Sequence, residues 1–208
     1  QSAEAHNDLG DVLLSKGLPE EAKRHFLKAI QYVPECVFAH VNLGIVSYTQ
    51  GEPKQAVDCF KKAIALYPEL ASAHDNWGNA LSDLGEFDQA VEHYEKALEI
   101  NPQFDSAHYN WGNVLMRQGN PEQAIDHYAK AVDINPRNSR AHGSWGNALA
   151  DLGEFDQAIE HYRRALEIDP QSNLTHFNWG NALLKLNRPD EANQQWEKAV
   201  ALSPEHTQ

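Results

Sequence analysis

Cysteine, basic charge and long apolar runs are all scarce in this sequence. Its 208 residues include two cysteines, Cys36 and Cys59, and neither stands in a CxxC or other metal-ligand spacing. We therefore expect free thiols rather than a disulfide framework or a thiolate metal site. Seventeen basic against thirty acidic side chains give a net charge of −13. This balance would repel phosphate backbones and anionic lipid surfaces, so it argues against nucleic acid or membranes as partners.

Segments that would carry the chain into or across a membrane are also missing from the sequence. No window approaches the roughly 18 apolar residues of a membrane span, and the N-terminal residues lack the basic-then-apolar pattern of a secretion signal. We therefore predict a soluble, cytoplasmic protein. Because the chain opens with Gln1 and enters a repeat by Ala3, we expect it to be a piece of a longer or processed protein.

Glycine and proline occur almost entirely at intervals of 34 residues. Eleven of the twelve glycines form two series with this period, which are Gly10, Gly44, Gly78, Gly112, Gly146, Gly180 and Gly17, Gly51, Gly85, Gly119, Gly153. Gly143 alone stands outside both series. The prolines follow the same period, at Pro34, Pro68, Pro102, Pro136, Pro170, Pro204 and at Pro19, Pro53, Pro121, Pro189. The period predicts one domain over residues 3–206, with repeats at 3–36, 37–70, 71–104, 105–138, 139–172 and 173–206.

Each repeat shows the pattern of two helices. Within 71–104, apolar and small residues recur at helical spacing before and after Gly85, a residue that suits the left-handed end of a helix. Asn187 replaces this glycine in the sixth repeat, and prolines such as Pro53 suit the first turn of the second helix. The small pair Gly78 and Ala90, repeated in every unit, should let the two helices approach closely. The sequence therefore predicts an all-α array of stacked helix pairs.

The repeat pattern resembles a known family. Counting Ala3 as position 1, the pattern is a small residue at 3, Leu or Trp at 7, Gly at 8 and 15, Ala at 20, Phe or Tyr at 24, Ala at 27 and Pro at 32. It resembles the tetratricopeptide repeat over essentially the whole chain, although position 4 is His throughout and position 7 is Trp in repeats three to six. The resemblance implies a right-handed superhelical solenoid whose first helices line a concave groove. It also implies a protein-interaction scaffold rather than an enzyme.

Two rows of asparagine mark the expected groove. Positions 6 and 9 share one face of the first helix, and they carry Asn42, Asn76, Asn110, Asn178 and Asn79, Asn113, Asn147, respectively. Side-chain amides both donate and accept, so such rows can bind the backbone of an extended peptide. The NWGNAL segments resemble the repeat domain of O-linked N-acetylglucosamine transferases, which has similar asparagine ladders. The alternative is that these amides only tie neighbouring helices together.

Other groove positions should set selectivity. We expect Phe38, Tyr48, Tyr109 and Phe177 to bind the ligand, with Arg117 as one of few cations in an otherwise acidic groove. An extended protein or peptide with apolar anchors and basic residues between them would suit this surface. Alternatively, some apolar groups at these positions, such as Val41 and Leu184, pack against the adjacent repeat.

The sequence indicates neither catalysis nor metal binding. The histidines recur at positions 4 and 23, too far apart between repeats to share one ion, so we predict neither a metal site nor a cofactor. The row at position 4 should be buried, and the tryptophans at position 7 should serve packing. Nucleophile or phosphate-binding motifs are missing, so we predict no catalysis.

Two alternatives to a peptide-binding scaffold remain, namely a targeting arm of a larger enzyme such as a glycosyltransferase, and self-association through an open face around Trp196 and Ala199.

Overall fold

The computed structural model describes residues 2–203, and this part of the chain is entirely helical apart from its connections. The last three positions of the sixth repeat, 204–206, lie outside the described residues, and Pro204 with them. The helices are α1 Ala3–Ser15, α2 Pro19–Tyr32, α3 Val37–Thr49, α4 Pro53–Leu66, α5 Ala71–Asp83, α6 Phe87–Ile100, α7 Asp105–Arg117, α8 Pro121–Ile134, α9 Ser139–Asp151, α10 Phe155–Ile168, α11 Asn173–Lys185 and α12 Pro189–Ala201. The prediction of an all-α array of six helix pairs is confirmed.

The chain divides into two compact units at the boundary between Pro102 and Gln103. Unit 1 contains repeats one to three, with helices α1–α6, and unit 2 contains repeats four to six, with helices α7–α12. In each unit the two helices of a repeat pack on each other, and the first helix of a repeat packs on the second helix of the preceding one.

The turn residues behave as the sequence predicts. Gly85 has a φ of +80° and Asn187 a φ of 58°, so both occupy the left-handed region at the end of a first helix. In the repeats that carry it, proline lies in the first turn of the second helix, where its missing N–H leaves no hydrogen bond unmade.

Close packing of each helix pair depends on a glycine at position 8. A Cβ added to Gly78 would lie 2.5 Å from the ring of Tyr94, which is fully buried in the same repeat. Within each unit, the buried core around a helix pair is extended by the first helix of the following repeat of that unit. In unit 2, for example, Trp145 and Ala148 of repeat five pack with Tyr128 of repeat four. Burial of one such aromatic side chain stabilises the fold by about 1.5–3 kcal/mol.

No helix within residues 2–203 combines the length and the apolar character that crossing a membrane would require.

Candidate functional site

The asparagines at position 9 are anchored by tyrosines of the second helices. A tyrosine hydroxyl donates to the asparagine Oδ1 over 2.9 Å in three repeats, as Tyr94 to Asn79, Tyr128 to Asn113 and Tyr162 to Asn147. Burial raises the pKa of Tyr128 and of Tyr162, so these hydroxyls stay protonated and act as donors. The amide Nδ2 atoms of these asparagines have no hydrogen-bond partner among the described residues. Each of these side chains is therefore fixed in orientation while its donor groups stay available.

Position 6 asparagines connect neighbouring repeats. In unit 2, Asn178 Nδ2 donates to Asn147 Oδ1 over 2.9 Å. In unit 1, Asn42 Nδ2 donates to Asp11 over 2.6 Å and to Asn7 over 3.1 Å. At these places the amides do tie adjacent first helices together, which is the alternative that the sequence leaves open.

Two other asparagines of the position 6 row lie on the same face of their helices. Asn76 in unit 1 is half-buried, and its side chain makes no hydrogen bond within residues 2–203. Asn110 in unit 2 is half-buried as well. The amide of Asn76 is therefore available for a hydrogen bond to a ligand.

The aromatic positions differ in their exposure. Phe38 is 63% exposed and Phe177 is 49% exposed, so both present apolar surface to a partner. Tyr48 is half-buried and donates to Asp83 over 2.7 Å. Tyr109 is half-buried beneath Arg140, whose guanidinium carbon lies 5.4 Å from the ring centre.

The two apolar residues that the sequence assigns either to ligand binding or to packing differ in their burial. Val41 is buried, as packing against a neighbouring repeat requires, whereas Leu184 is exposed. The expected acidic character of the first helices holds for Asp8, Asp11 and Asp151, which are exposed. Asp75 is buried instead.

Cationic side chains are few on the first helices of residues 2–203. Arg117, Arg140 and Lys185 are all exposed, and all belong to unit 2. The first helix of repeat one carries the opposite charge, and the pKa of Asp11 is raised, first by desolvation and then by neighbouring Asp8. A ligand that approaches unit 1 therefore meets a negative surface.

Two cavities flank the Asn147–Asn178 pair in unit 2. One has a volume of about 260 Å³ and opens beside Gly143, with Tyr109, Arg140, Asp169 and Leu174 among its walls. The other has a volume of about 300 Å³ and includes Asp151, Asn181 and Lys185. The amide pair therefore forms a polar ridge between two hollows, which is a suitable arrangement for a peptide backbone with side chains on either side.

Histidines at positions 4 and 23 pair within a repeat. The Nδ1 atoms of His74 and His93 are 3.0 Å apart, and Nε2 of His74 lies 3.1 Å from the carbonyl oxygen of Pro68. A carbonyl only accepts, so Nε2 of His74 is the donor, and neutral His74 accepts through Nδ1 from His93. The same pairing occurs in three further repeats, as His6–His25, His108–His127 and His142–His161.

The histidine row at position 4 is architectural, as the sequence predicts. Its members are buried, except for the half-buried His108. Within residues 2–203 no group of His, Cys, Asp and Glu side chains has an arrangement that could hold a metal ion.

Comparison with known families identifies the repeat. Three models described as tetratricopeptide repeat match residues 1–69, 109–173 and 174–206, and one described as TPR repeat matches residues 78–119. The chain belongs to the tetratricopeptide repeat family. No curated protein sequence matches it significantly.

Several solved structures share the fold of this tetratricopeptide repeat protein. PilF of Pseudomonas aeruginosa is 23% identical with a TM-score of 0.84, and the match covers 97% of this chain and 92% of PilF. YrrB, described as a TPR protein with an unusual peptide-binding site, is 25% identical with a TM-score of 0.64 over 87% of this chain and 93% of its own. A TPR protein of Thermus thermophilus is 21% identical with a TM-score of 0.75 over 88% and 100%.

Tetratricopeptide repeats are in general non-catalytic scaffolds for protein–protein interactions, and this chain has the fold of such a scaffold. Sequence reasoning found the asparagine rows but missed the tyrosine bonds that orient them and the cavity beside Gly143. One feature of the sequence pointed to that cavity, because Gly143 is the glycine that belongs to neither periodic series.

Proposed function

We propose that the first helices within a unit form a groove that binds an extended peptide. The observation that carries this proposal is the asparagine row of unit 2, where the side chains are oriented by tyrosines and keep their amide N–H groups available. An extended peptide offers one backbone carbonyl per residue, and such carbonyls accept hydrogen bonds from amide donors whatever the peptide sequence. The likeness to YrrB, whose description includes a peptide-binding site, supports the same proposal.

The ligand we propose combines apolar anchors with basic residues. In unit 1, Phe38 offers exposed apolar surface and the exposed Asp8 and Asp11 make the first helices acidic. In unit 2, Phe177 and Asp151 are exposed in the same way. Attraction between exposed charges is screened by salt, so the affinity of a Lys- or Arg-containing peptide should fall as ionic strength rises. A peptide of the same anchors with Glu in place of the basic residues should bind more weakly at low salt.

The test uses a peptide selected from a random display library against the whole chain, with its affinity measured by calorimetry. Asn76→Ala removes a side chain that has no hydrogen bond in the chain's described part, so folding should be unaffected. Loss of one amide contact costs about 1 kcal/mol, which corresponds to roughly fivefold weaker binding. Glu95→Ala, an exposed position on the second helix of the same repeat, is the matched control.

Asn113 allows the structural and binding roles of an asparagine to be separated. Asn113→Asp keeps an oxygen that accepts from Tyr128 and removes the amide donors, so the variant should fold and still lose affinity for an uncharged peptide. Unchanged affinity in both Asn76→Ala and Asn113→Asp would show that the rows are purely structural.

Self-association is a second candidate, favoured by the apolar face at the end of repeat six. Leu174, Phe177 and Val200 are exposed there around a hollow of about 290 Å³. The sequence places Trp196 and Ala199 at the centre of this face, but Trp196 is half-buried and Ala199 is buried. The apolar surface that a partner would meet is therefore supplied by Phe177 and Val200 rather than by Ala199.

The occupant we propose for this face is the first repeat of a second copy, packed head to tail. Trp145 and Ala148, at positions 7 and 10 of repeat five, cover the core of repeat four. The equivalent residues of repeat one, Leu9 and Val12, are exposed. Sedimentation velocity at increasing concentration tests this, with Val200→Glu expected to remove any association and Leu27→Glu, on the exposed side of α2, expected to preserve it. A chain that stays monomeric at millimolar concentration contradicts the proposal.

A further inference from the structure

The cavity beside Gly143 lies at a repeat position where every other repeat carries a side chain. Position 5 of the first helix carries Val41 and Asp75 in unit 1, and both are buried. In repeat four it carries Tyr109, whose ring lies beneath Arg140 of the next repeat and 6.2 Å from the ring of Tyr128. At the next repeat the residue is Gly143, and a hollow of about 260 Å³ opens where two consecutive repeats meet.

The hollow is accessible at the Gly143 backbone itself. A Cβ built on this residue would lie 3.6 Å from Thr175 Oγ1 and 4.0 Å from the Cβ of Ala165, which are ordinary contact distances. Gly146, one turn later in the same helix, is different, because a Cβ there would collide with the ring of Tyr162. Gly143 is therefore not required for helix packing, and the space that it leaves can accept atoms of another molecule.

The walls of the hollow combine apolar and polar groups. Tyr109, Ala165 and Leu174 supply apolar surface. Arg140 offers only donors and Asp169 offers only acceptors, and Asp169 uses one oxygen to accept from the backbone N–H of Gln171 over 3.2 Å. A charged group would be attracted by one of these two residues and repelled by the other, so the pair favours neither sign of charge.

We propose that this cavity, the Gly143 pocket, binds the side chain of a tyrosine in an extended peptide ligand. A cavity of roughly 150 Å³ is sufficient for a benzene ring, so the Gly143 pocket accommodates a phenol. It is smaller than the roughly 300–1,000 Å³ of typical small-molecule sites, which favours one side chain over a whole cofactor.

The hydroxyl of the ligand decides between tyrosine and phenylalanine. A phenol hydroxyl both donates and accepts, so it can bond either the Asp169 carboxylate or the Arg140 guanidinium. A phenylalanine ring would displace water from these polar groups without replacing its hydrogen bonds, which lowers affinity. The inference rests on the proposed function for the peptide that carries the tyrosine, but occupancy of the Gly143 pocket can be tested without any peptide.

The first experiment titrates N-acetyl-L-tyrosinamide into the whole chain and follows backbone amide shifts of Ser144, Ala165 and Thr175 by NMR. We expect saturable shifts at millimolar concentration. The phenylalanine, lysine and alanine analogues of the probe should bind at least fivefold more weakly. Equal affinities for the tyrosine and alanine probes, or shifts that avoid these three amides, would overturn the proposal.

The second experiment fills the pocket with a side chain of the protein itself. Gly143→Tyr places in repeat five the side chain that repeat four already has, and it should reduce probe affinity at least tenfold. Gly143→Ala adds a methyl group at ordinary contact distance and should leave most of the affinity. Helicity and melting temperature are measured for both variants. Arg140→Ala, a change at an exposed side chain, gives an independent test, with several-fold weaker binding of the tyrosine probe expected.

The outcomes separate this proposal from the proposed function. If the probe binds the wild-type chain and Gly143→Tyr abolishes that binding, the pocket is confirmed even where no library peptide binds the groove. If a groove peptide binds and depends on Asn76 while the tyrosine probe does not bind, the pocket proposal fails and the groove remains. Retention of probe affinity by folded Gly143→Tyr overturns the pocket in either case.

Discussion

Mild acid should destabilise this fold through its histidine pairs. The pKa values of His93, His127 and His161 are each lowered to about 4, first by burial and then by the charge of the partner histidine. In the unfolded chain a histidine has a pKa of about 6.5. Above that pH both states carry neutral rings. Below it the unfolded chain binds protons that the folded chain does not, so stability declines as the pH falls from about 6.5 towards 4.

Burial is the main reason why the folded chain resists protonation, and the hydrogen bonds within the pairs act in the same direction. His74 already donates through Nε2 to a backbone carbonyl and accepts through Nδ1 from His93. A proton on Nδ1 of His74 would place two N–H groups against each other. A proton on Nε2 of His93 would charge a half-buried ring near the ammonium group of Lys61, and both the burial and the like charge oppose this.

The expected loss of stability is measurable. One pKa unit corresponds to about 1.36 kcal/mol, so lowering the pH to 5.5, one unit below 6.5, costs at most that amount per histidine. These rings are only half-buried, and solvent screening reduces the cost to about 1 kcal/mol or less each. Three such histidines give a loss of about 2–3 kcal/mol relative to pH 7.5. For a chain of this size the melting temperature should fall by roughly 4–12 °C.

The assay is thermal melting followed by circular dichroism at pH 7.5 and pH 5.5 at fixed ionic strength. The chain provides its own control, because repeat six has Gln195 at position 23, where Oε1 lies 2.8 Å from Nδ1 of His176. A variant with His93→Gln, His127→Gln and His161→Gln keeps a hydrogen-bonding partner at each pair and should lose most of the pH dependence. A melting temperature that is unchanged or higher at pH 5.5 in the wild-type chain would refute the reasoning.

Three further predictions concern packing and reactivity. Gly146→Ala should be less stable than Gly143→Ala by about 1–3 kcal/mol in thermal melts, because both changes add the same helix propensity to α9 but only the former collides with an aromatic ring. Equal shifts in the two variants would contradict the packing account. Tyr162→Phe should lower stability by about 1 kcal/mol, since it removes the donor to Asn147, and chemical denaturation measures this. Burial raises the pKa of the Cys59 thiol, so in a Cys36→Ser background Cys59 should react with a disulfide reagent at pH 8 more slowly than glutathione does.

Most of the fold could be predicted because its determinants are local and repeated. Glycine at position 8 marks the close approach of two helices, and in each case the ring at position 24 of the same repeat occupies the space that a side chain would need. Left-handed Gly85 and its substitute Asn187 follow from backbone geometry alone. A constraint of this kind restricts one position to one residue type, and its recurrence in six repeats makes it visible in a single sequence.

The binding surface could be predicted only as a face of the first helices. Asparagine suits both a structural tie and a ligand donor, so its presence at Asn147 does not distinguish the two roles. In the structure the two ends of the side chain differ. Oδ1 makes structural hydrogen bonds, since it accepts from Tyr162 and from Asn178, whereas Nδ2 has no partner among the described residues and is available as a donor. Such a division depends on where two neighbouring helices place their side chains, and no pattern within one helix contains that information.

The Gly143 pocket shows why departures from the repeat matter more for recognition than the repeat itself. A position that carries the same residue in every unit builds the same joint each time, whereas position 5 carries a different residue in each repeat. Repeat five lacks the side chain that Tyr109 supplies in repeat four, and a cavity lies beside the backbone of Gly143. Most of its walls belong to packed helices, and Asp169 and Ser172 of the connection between α10 and α11 complete them. Because the surrounding joint does not need Gly143, filling the cavity with a side chain should remove tyrosine binding while preserving or raising the melting temperature. A lower melting temperature together with unchanged binding would mean that the glycine serves the fold and not a ligand.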